Sequence, residues 1–172
     1  ETENIFFDYS RNIIDEKSVE NLLKLAYLID IKKNYKKLIS GHISNKSENR
    51  KVLHSAMRST SSLLDKNITK DIRRHKEILK KISQDIISGK KKSFSNKKYT
   101  DIVSVGTGGS FFGIKAAYEA LKNYSSKNIK LHFISNLDFT ENKDLLNSLD
   151  PNKTLFIIVS KSFKTIETLE NI

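Results

Sequence analysis

The spacing of hydrophobic residues changes near residue 90. Before that point, apolar side chains recur every three or four residues, as on one face of an amphipathic helix. A first run lies at residues 19–26, a shorter helix is predicted at residues 49–59, and Gly41 and Gly89 stand where helices would end. The clearest run contains Ile68, Ile72, His75, Leu79, Ile82 and Ile86. The first half of the chain is therefore predicted to be helical.

Strands and helices alternate in the second half, beyond a lysine-rich connector at residues 89–98. Short apolar runs predict strands at residues 101–105, 131–134 and 155–159, and helices at 113–121, 143–149 and 165–171. This order is typical of an α/β fold with a parallel, doubly wound sheet. The run at 155–159 is apolar throughout, as in a central strand covered on both faces.

The predicted sheet has fewer strands than is usual, and the last helix has no stop signal. We therefore expect an incomplete fragment of a longer protein. Its predicted parts are an N-terminal helical segment, residues 1–90, and the first part of the sheet domain, residues 91–172.

Composition narrows the classes of function. The chain has 172 residues, a formal net charge of +11 and no cysteine. Without cysteine, a disulfide framework, a thiolate nucleophile and a Cys-ligated zinc site are excluded. A basic nucleic-acid-binding protein is one alternative, but the lysines are spread along the whole chain instead of forming one cluster. No apolar run approaches the roughly 18 residues of a membrane span, and the acidic first residues do not resemble a signal peptide. We expect a cytoplasmic protein that binds neither nucleic acid nor membrane.

A glycine-rich loop follows the first predicted strand, with the sequence GTGGS at residues 106–110. Glycines let backbone N–H groups approach an anion, and the hydroxyl of Ser110 adds a donor. The alternative is a tight turn without a ligand. The dinucleotide fingerprint fails because Phe111 occupies its third glycine position, and the phosphate-loop motif fails because Ile114 follows Gly113.

A second loop, residues 160–165 (SKSFKT), follows the third predicted strand. Ser160, Ser162 and Thr165 offer hydroxyl donors, and Lys161 or Lys164 could add positive charge. Ordinary N-capping is the alternative, although one cap requires only one hydroxyl. The loop therefore favours a phosphate monoester as ligand.

Five collinear blocks resemble the glucose-6-phosphate isomerase family. Residues 154–168, TLFIIVSKSFKTIET, resemble the family signature TLFI(I/V)ASKTFTTQET, and residues 105–110 resemble its GGS loop. The other blocks are DYSRN at 8–12, ENRKVLHSAMR at 48–58, and LHFISN at 131–136 with Asp138. Within the signature, Ser162 and Lys164 each replace a threonine of the family.

The resemblance implies an aldose–ketose isomerase that interconverts glucose 6-phosphate and fructose 6-phosphate. It also implies sugar-isomerase (SIS) domains built on parallel sheets, a homodimer as the full-length protein, and no metal or organic cofactor. By position, the substrate-binding residues are Gly109, Ser110, Ser160, Lys161, Ser162 and Thr165.

The family's catalytic glutamate, arginine, histidine and lysine match positions beyond Ile172. The resemblance therefore assigns no catalytic residue to this chain, and we expect the fragment alone to be inactive. The alternative is a non-catalytic phosphosugar-binding module of the same fold.

Overall fold

The structure, a computed structural model, describes residues 4–58 and 64–172. The chain divides into two compact units, Glu1–Lys76 and Glu77–Ile172. None of the helices in these described segments combines the length and the apolar character that a membrane crossing requires.

The first unit is mostly helical. Its elements are α1 (Glu16–Leu28), α2 (Ile31–Ile39), the short strands β1 (Ser44–Asn45) and β2 (Arg50–Lys51), a 3-10 helix (Ala56–Arg58) and the start of α3 (Lys66–Ile87). Asp15 and Asp30 cap α1 and α2 through their carboxylates. Gly41 and Gly89 follow α2 and α3 with φ of 74° and 73°, the left-handed conformation that commonly ends a helix. The predicted helix ends are therefore confirmed.

The helix predicted at residues 49–59 is wrong over most of its length. Arg50 and Lys51 pair antiparallel with Asn45 and Ser44, and only Ala56–Arg58 form a helical turn. Asn49 has a φ of 50°, which breaks a right-handed helix and turns the chain back on itself. Residue 59 lies outside the described residues.

The second unit contains a parallel three-stranded sheet, as predicted. Its strands are β3 (Asp101–Val105), β4 (Lys130–Ile134) and β5 (Thr154–Ile158), in the spatial order β4-β3-β5. β3 pairs in register with both neighbours, with Val105 opposite Ile134 on one side and Ile158 on the other. The carboxyl ends of all three strands therefore lie side by side at one end of the sheet.

Helices cover the two faces of this sheet. On one face, the ring of Phe133 contacts Phe111 and Tyr118 of α4 (Gly109–Leu121). On the other, Leu145 of α5 (Phe139–Asn147) and Leu149 pack on a buried core of Val103, Val105 and Ile134. Successive residues of a strand face opposite sides, so Phe133 and Ile134 mark opposite faces. The doubly wound arrangement is confirmed.

The position predicted for the third strand is wrong within the described sheet. β5 lies at its edge and pairs there only with β3. Phe156 and Ile157 are 46% and 43% exposed, so neither face of the strand is fully covered. An apolar sequence indicates that a strand belongs in an interior, but it does not show which neighbours are present.

The helices of this unit differ from prediction at their ends. α4 begins at Gly109 instead of residue 113. α5 begins at Phe139 instead of residue 143, because the Asp138 carboxylate accepts hydrogen bonds from the amides of Thr140 and Glu141. The last helix, α6 (Ile166–Leu169), is shorter than the predicted 165–171.

A hydrogen bond between two side chains joins β3 to β4. The Nε2 atom of His132 lies 2.8 Å from Oδ1 of Asp101, and Thr100 donates to Oδ2 of the same carboxylate at 2.7 Å. Burial raises the pKa of Asp101, but the hydrogen bonds from His132 and Thr100 outweigh burial, and the net pKa is lowered. Folding therefore favours the ionised carboxylate.

We expect His132→Leu to lower the free energy of unfolding by about 1–2 kcal/mol at neutral pH, because Asp101 loses a charge-assisted hydrogen bond. A lowered carboxylate pKa stabilises the fold above the unfolded-state pKa, about 3.9, and this stabilisation disappears as the pH falls through the folded-state pKa. Urea denaturation at several pH values should therefore show the difference between variant and parent shrinking below about pH 4.

The matched control is Glu119→Gln, which removes the exposed ion pair between Glu119 and Lys122. Exposed pairs contribute little to stability, so this variant should unfold like the parent. An equal loss in both variants would contradict a special role for the Asp101–His132 pair.

Candidate functional site

The two predicted binding loops follow the carboxyl ends of two neighbouring parallel strands. Residues 106–108 connect β3 to α4, and residues 159–165 connect β5 to α6. Gly109 and Ser110 lie in the first turn of α4, while Ser160, Lys161, Ser162 and Thr165 lie in the second connection. Ligands of open α/β sheets bind at these carboxyl ends.

Close packing at Gly106 joins the two loops. The amide of Gly106 donates to the carbonyl oxygen of Ile134 at 3.0 Å, and the amide of Val159 donates to that of Val105 at 2.8 Å. A Cβ atom on Gly106 would lie 2.8 Å from the carbonyl oxygen of Val159 and 3.2 Å from Cβ of Ser110. Only glycine fits between the start of the second loop and Ser110 without displacing backbone.

The first loop offers backbone donors beside an open space. The amides of Ser110 and Phe111 donate to the carbonyl oxygens of Thr107 and Gly108. The N–H groups of Gly108 and Gly109 have no backbone acceptor among the described residues, as is usual at the start of a helix. Gly108 has φ 54° and ψ −122°, a conformation that glycine adopts readily. A Cβ atom on Gly109 would meet nothing within 4 Å. Packing against the described residues therefore does not require a glycine here.

The second loop is held by its own serine hydroxyls. Ser160 Oγ accepts from the amide of Phe163 at 3.0 Å, and Ser162 Oγ accepts from the amide of Lys164 at 3.3 Å. A hydroxyl that accepts a hydrogen bond still has its own proton to donate. Phe163 has a φ of 52°, an uncommon conformation for a non-glycine residue. No residue pattern in this loop predicts this conformation.

Thr165 is not used as a side-chain cap. It occupies the N-cap position of α6, but its hydroxyl makes no capping hydrogen bond. Simple capping therefore does not account for this hydroxyl. The helix is only four residues long, so its dipole adds less to anion binding than a longer helix would. Hydroxyl and amide donors remain the main features of this loop.

A cavity of about 920 Å³ in the second unit lies away from the two loops, against the sheet face that carries α5. Val105, Ile134, Phe156 and Ile158 form its floor, and none of the predicted substrate-binding residues lines it. In the described ranges 4–58 and 64–172, no group of three or more His, Cys, Asp or Glu side chains could hold a metal ion.

Comparison with known proteins identifies the family. The sequence model of the family described as phosphoglucose isomerase matches residues 8–172. The chain belongs to the phosphoglucose isomerase family. The fold and the family expected from the sequence are thereby confirmed.

Relatives in the phosphoglucose isomerase family are considerably longer than this chain. The glucose-6-phosphate isomerases of Francisella tularensis subsp. tularensis and Francisella philomiragia subsp. philomiragia are each 40% identical to it over 173 residues. These matches cover 98% of this chain and 32% of each relative. A crystal structure of a glucose-6-phosphate isomerase from Chlamydia trachomatis superposes with a TM-score of 0.66 at 27% identity, over 92% of this chain and 31% of that one. The chain thus spans about a third of the length of the curated relatives it matches.

We expect Gly106→Ala to lower the free energy of unfolding of this phosphoglucose isomerase family chain by about 1–3 kcal/mol, because the added methyl group overpacks against the backbone of Val159. Gly109→Ala should leave it unchanged or raise it by up to about 1 kcal/mol, since alanine favours helix and meets open space. Urea denaturation of both variants tests the contrast. Equal stability of the two would contradict the close approach at Gly106.

Proposed function

We propose that this chain is the N-terminal part of a glucose-6-phosphate isomerase and carries the loops that bind the phosphosugar. The substrates are glucose 6-phosphate and fructose 6-phosphate, which the full-length enzyme interconverts in glycolysis and gluconeogenesis. The relatives are glucose-6-phosphate isomerases and are longer than this chain, and both facts support this assignment. The domain division at residue 90, the homodimer, the cytoplasmic location and the inactivity of the fragment alone belong to the same proposal.

One observation carries the binding assignment. At Gly106 the first loop packs closely against Val159, the start of the second loop, where β3 and β5 have their carboxyl ends side by side. Hydroxyls of Ser160 and Ser162 keep protons to donate while their oxygens hold the loop. With Lys161 and Thr165, this set suits a phosphate monoester, whose oxygens accept charge-assisted hydrogen bonds. Gly108 and Gly109 are exposed residues, and their amides face the sugar in this proposal.

The chain supplies binding in this proposal, not proton transfer. The resemblance matches the family's catalytic glutamate to a position beyond Ile172. A non-catalytic phosphosugar-binding module of the same fold would use the same two loops. An isomerase converts fructose 6-phosphate to glucose 6-phosphate, whereas a binding module does not. A coupled assay for glucose 6-phosphate on the full-length protein distinguishes the two.

We expect the double variant Ser160→Ala, Lys161→Ala to bind fructose 6-phosphate more weakly by about 1–3 kcal/mol, the range for lost charge-assisted hydrogen bonds. Isothermal titration calorimetry of the 172-residue chain measures this change. Unchanged affinity would refute the assignment of the second loop.

The matched control is Ser126→Ala, Lys127→Ala. This serine–lysine pair lies just before β4, on the side of the sheet where the strands begin. The control variant also removes one hydroxyl and one positive charge, so any general effect of net charge appears in both variants. An equal loss in the control would indicate non-specific attraction of the anion to a basic chain.

We also expect Gly109→Ala to weaken fructose 6-phosphate binding about tenfold, because the methyl group occupies space that the sugar needs. The stability of this variant is expected to equal or exceed that of the parent, so a loss of affinity reports on the ligand and not on the fold. Parent-like affinity in calorimetry would exclude close contact between the sugar and Gly109.

A further inference from the structure

A cluster of three asparagines joins the two helices that follow β4 and β5. The carbonyl oxygen of Asn136, two residues beyond β4, accepts from Nδ2 of Asn142 at 3.2 Å and from Nδ2 of Asn171 at 2.8 Å. Nδ2 of Asn142 also donates to Oδ1 of Asn171 at 3.0 Å. This asparagine cluster links the loop after β4, helix α5 and the turn that follows α6.

Both amide donors in the cluster are fully used. The second proton of Asn171 Nδ2 goes to the carbonyl oxygen of Glu167, at 2.6 Å. Each side-chain NH₂ group has two protons, so Asn142 and Asn171 donate as many hydrogen bonds as they can. Asn142 is only 9% exposed, and a lost partner would leave a buried polar group unsatisfied. The network therefore favours a single arrangement of the two helices.

The first residue of this network, Asn136, is itself fixed. Its Oδ1 accepts from the amide of Asp138 at 3.2 Å, and its Nδ2 donates to Glu141 at 3.0 Å. Asp138 in turn caps α5. The carbonyl oxygen that receives Asn142 and Asn171 thus projects from a loop with its own hydrogen bonds.

Helix α6 depends on such outside contacts. It has four residues, and helices this short are not stable alone in water. The second binding loop, residues 160–165, ends where α6 begins, and the hydrogen bonds of its serine hydroxyls to the amides of Phe163 and Lys164 lie within the loop. The start of the loop is fixed to β3 through the amide of Val159. Its far end is fixed through α6, by the buried Thr168 and the asparagine cluster.

We propose that Asn142 and Asn171 are positioning residues for the second binding loop. By fixing α6 against the loop after β4, they keep the hydroxyls of Ser160 and Ser162 in one orientation towards the ligand. The role of these residues in binding rests on the proposed function, whereas their effect on the loop does not.

The test compares Asn142→Asp with Asn147→Asp in the ligand-free chain. Both variants place a carboxylate on α5, but only the first turns a buried donor into an acceptor that faces two oxygen atoms. Asn147 is exposed and has no place in the cluster. We expect hydrogen exchange of the amides of residues 160–165 to accelerate about tenfold in Asn142→Asp alone. Exchange at Val105 and Gly106 should stay at the parent rate.

Asn171→Ala provides a second variant at a half-buried position, should Asn142→Asp fail to fold. We expect the same local acceleration, together with a roughly tenfold rise in the Kd for fructose 6-phosphate. Parent-like exchange at residues 160–165 would overturn the proposal. So would equal acceleration at Val105 and Gly106, since that would indicate general loosening of the sheet.

The two proposals fail separately. If the parent chain does not bind fructose 6-phosphate, the proposed function is wrong, and the ligand-free exchange experiment still decides whether the cluster positions the loop. If the parent binds and Asn171→Ala exchanges like the parent, only the positioning role is wrong.

Discussion

The parallel, in-register pairing of β3 with β4 and β5 is the constraint on which the rest of the second unit depends. Parallel pairing brings the ends of all three strands to one edge, and the pairing continues past the strands through the amides of Gly106 and Val159. The absence of a side chain at Gly106 then lets the carbonyl of Val159 approach closely. Without that approach, the two proposed binding loops would be separate surface turns.

The two loops are held by different means. The first is fixed by the sheet and by the start of a 13-residue helix, whose ring contacts anchor it to β4. The second leads into a four-residue helix and uses two serine oxygens as internal acceptors. It therefore needs support from outside, and the asparagine cluster is placed to give it. A phosphate-binding loop benefits from such support, because donors that are already oriented lose less entropy when the ligand binds.

Much of the fold was predictable because it depends on local patterns. The strands were found from runs of apolar residues, and the helix ends at Gly41 and Gly89 were found because glycine adopts positive φ cheaply. Prediction failed at residues 49–59, where Asn49 in the left-handed conformation turns the chain back into a strand pair. It also failed for the place of β5, because an apolar strand does not specify its neighbours.

The sequence by itself determined the family, the order of strands and helices, and the residue types of the two loops, since each of these depends on the residues of a short, continuous segment. Only the tertiary structure decided which partners those residues meet. Gly106 and Val159 are far apart in the sequence, and Asn142 and Asn171 are 29 residues apart. Neither has a local signature, because hydrogen bonds and close packing between distant residues exist only once the sheet has brought them together.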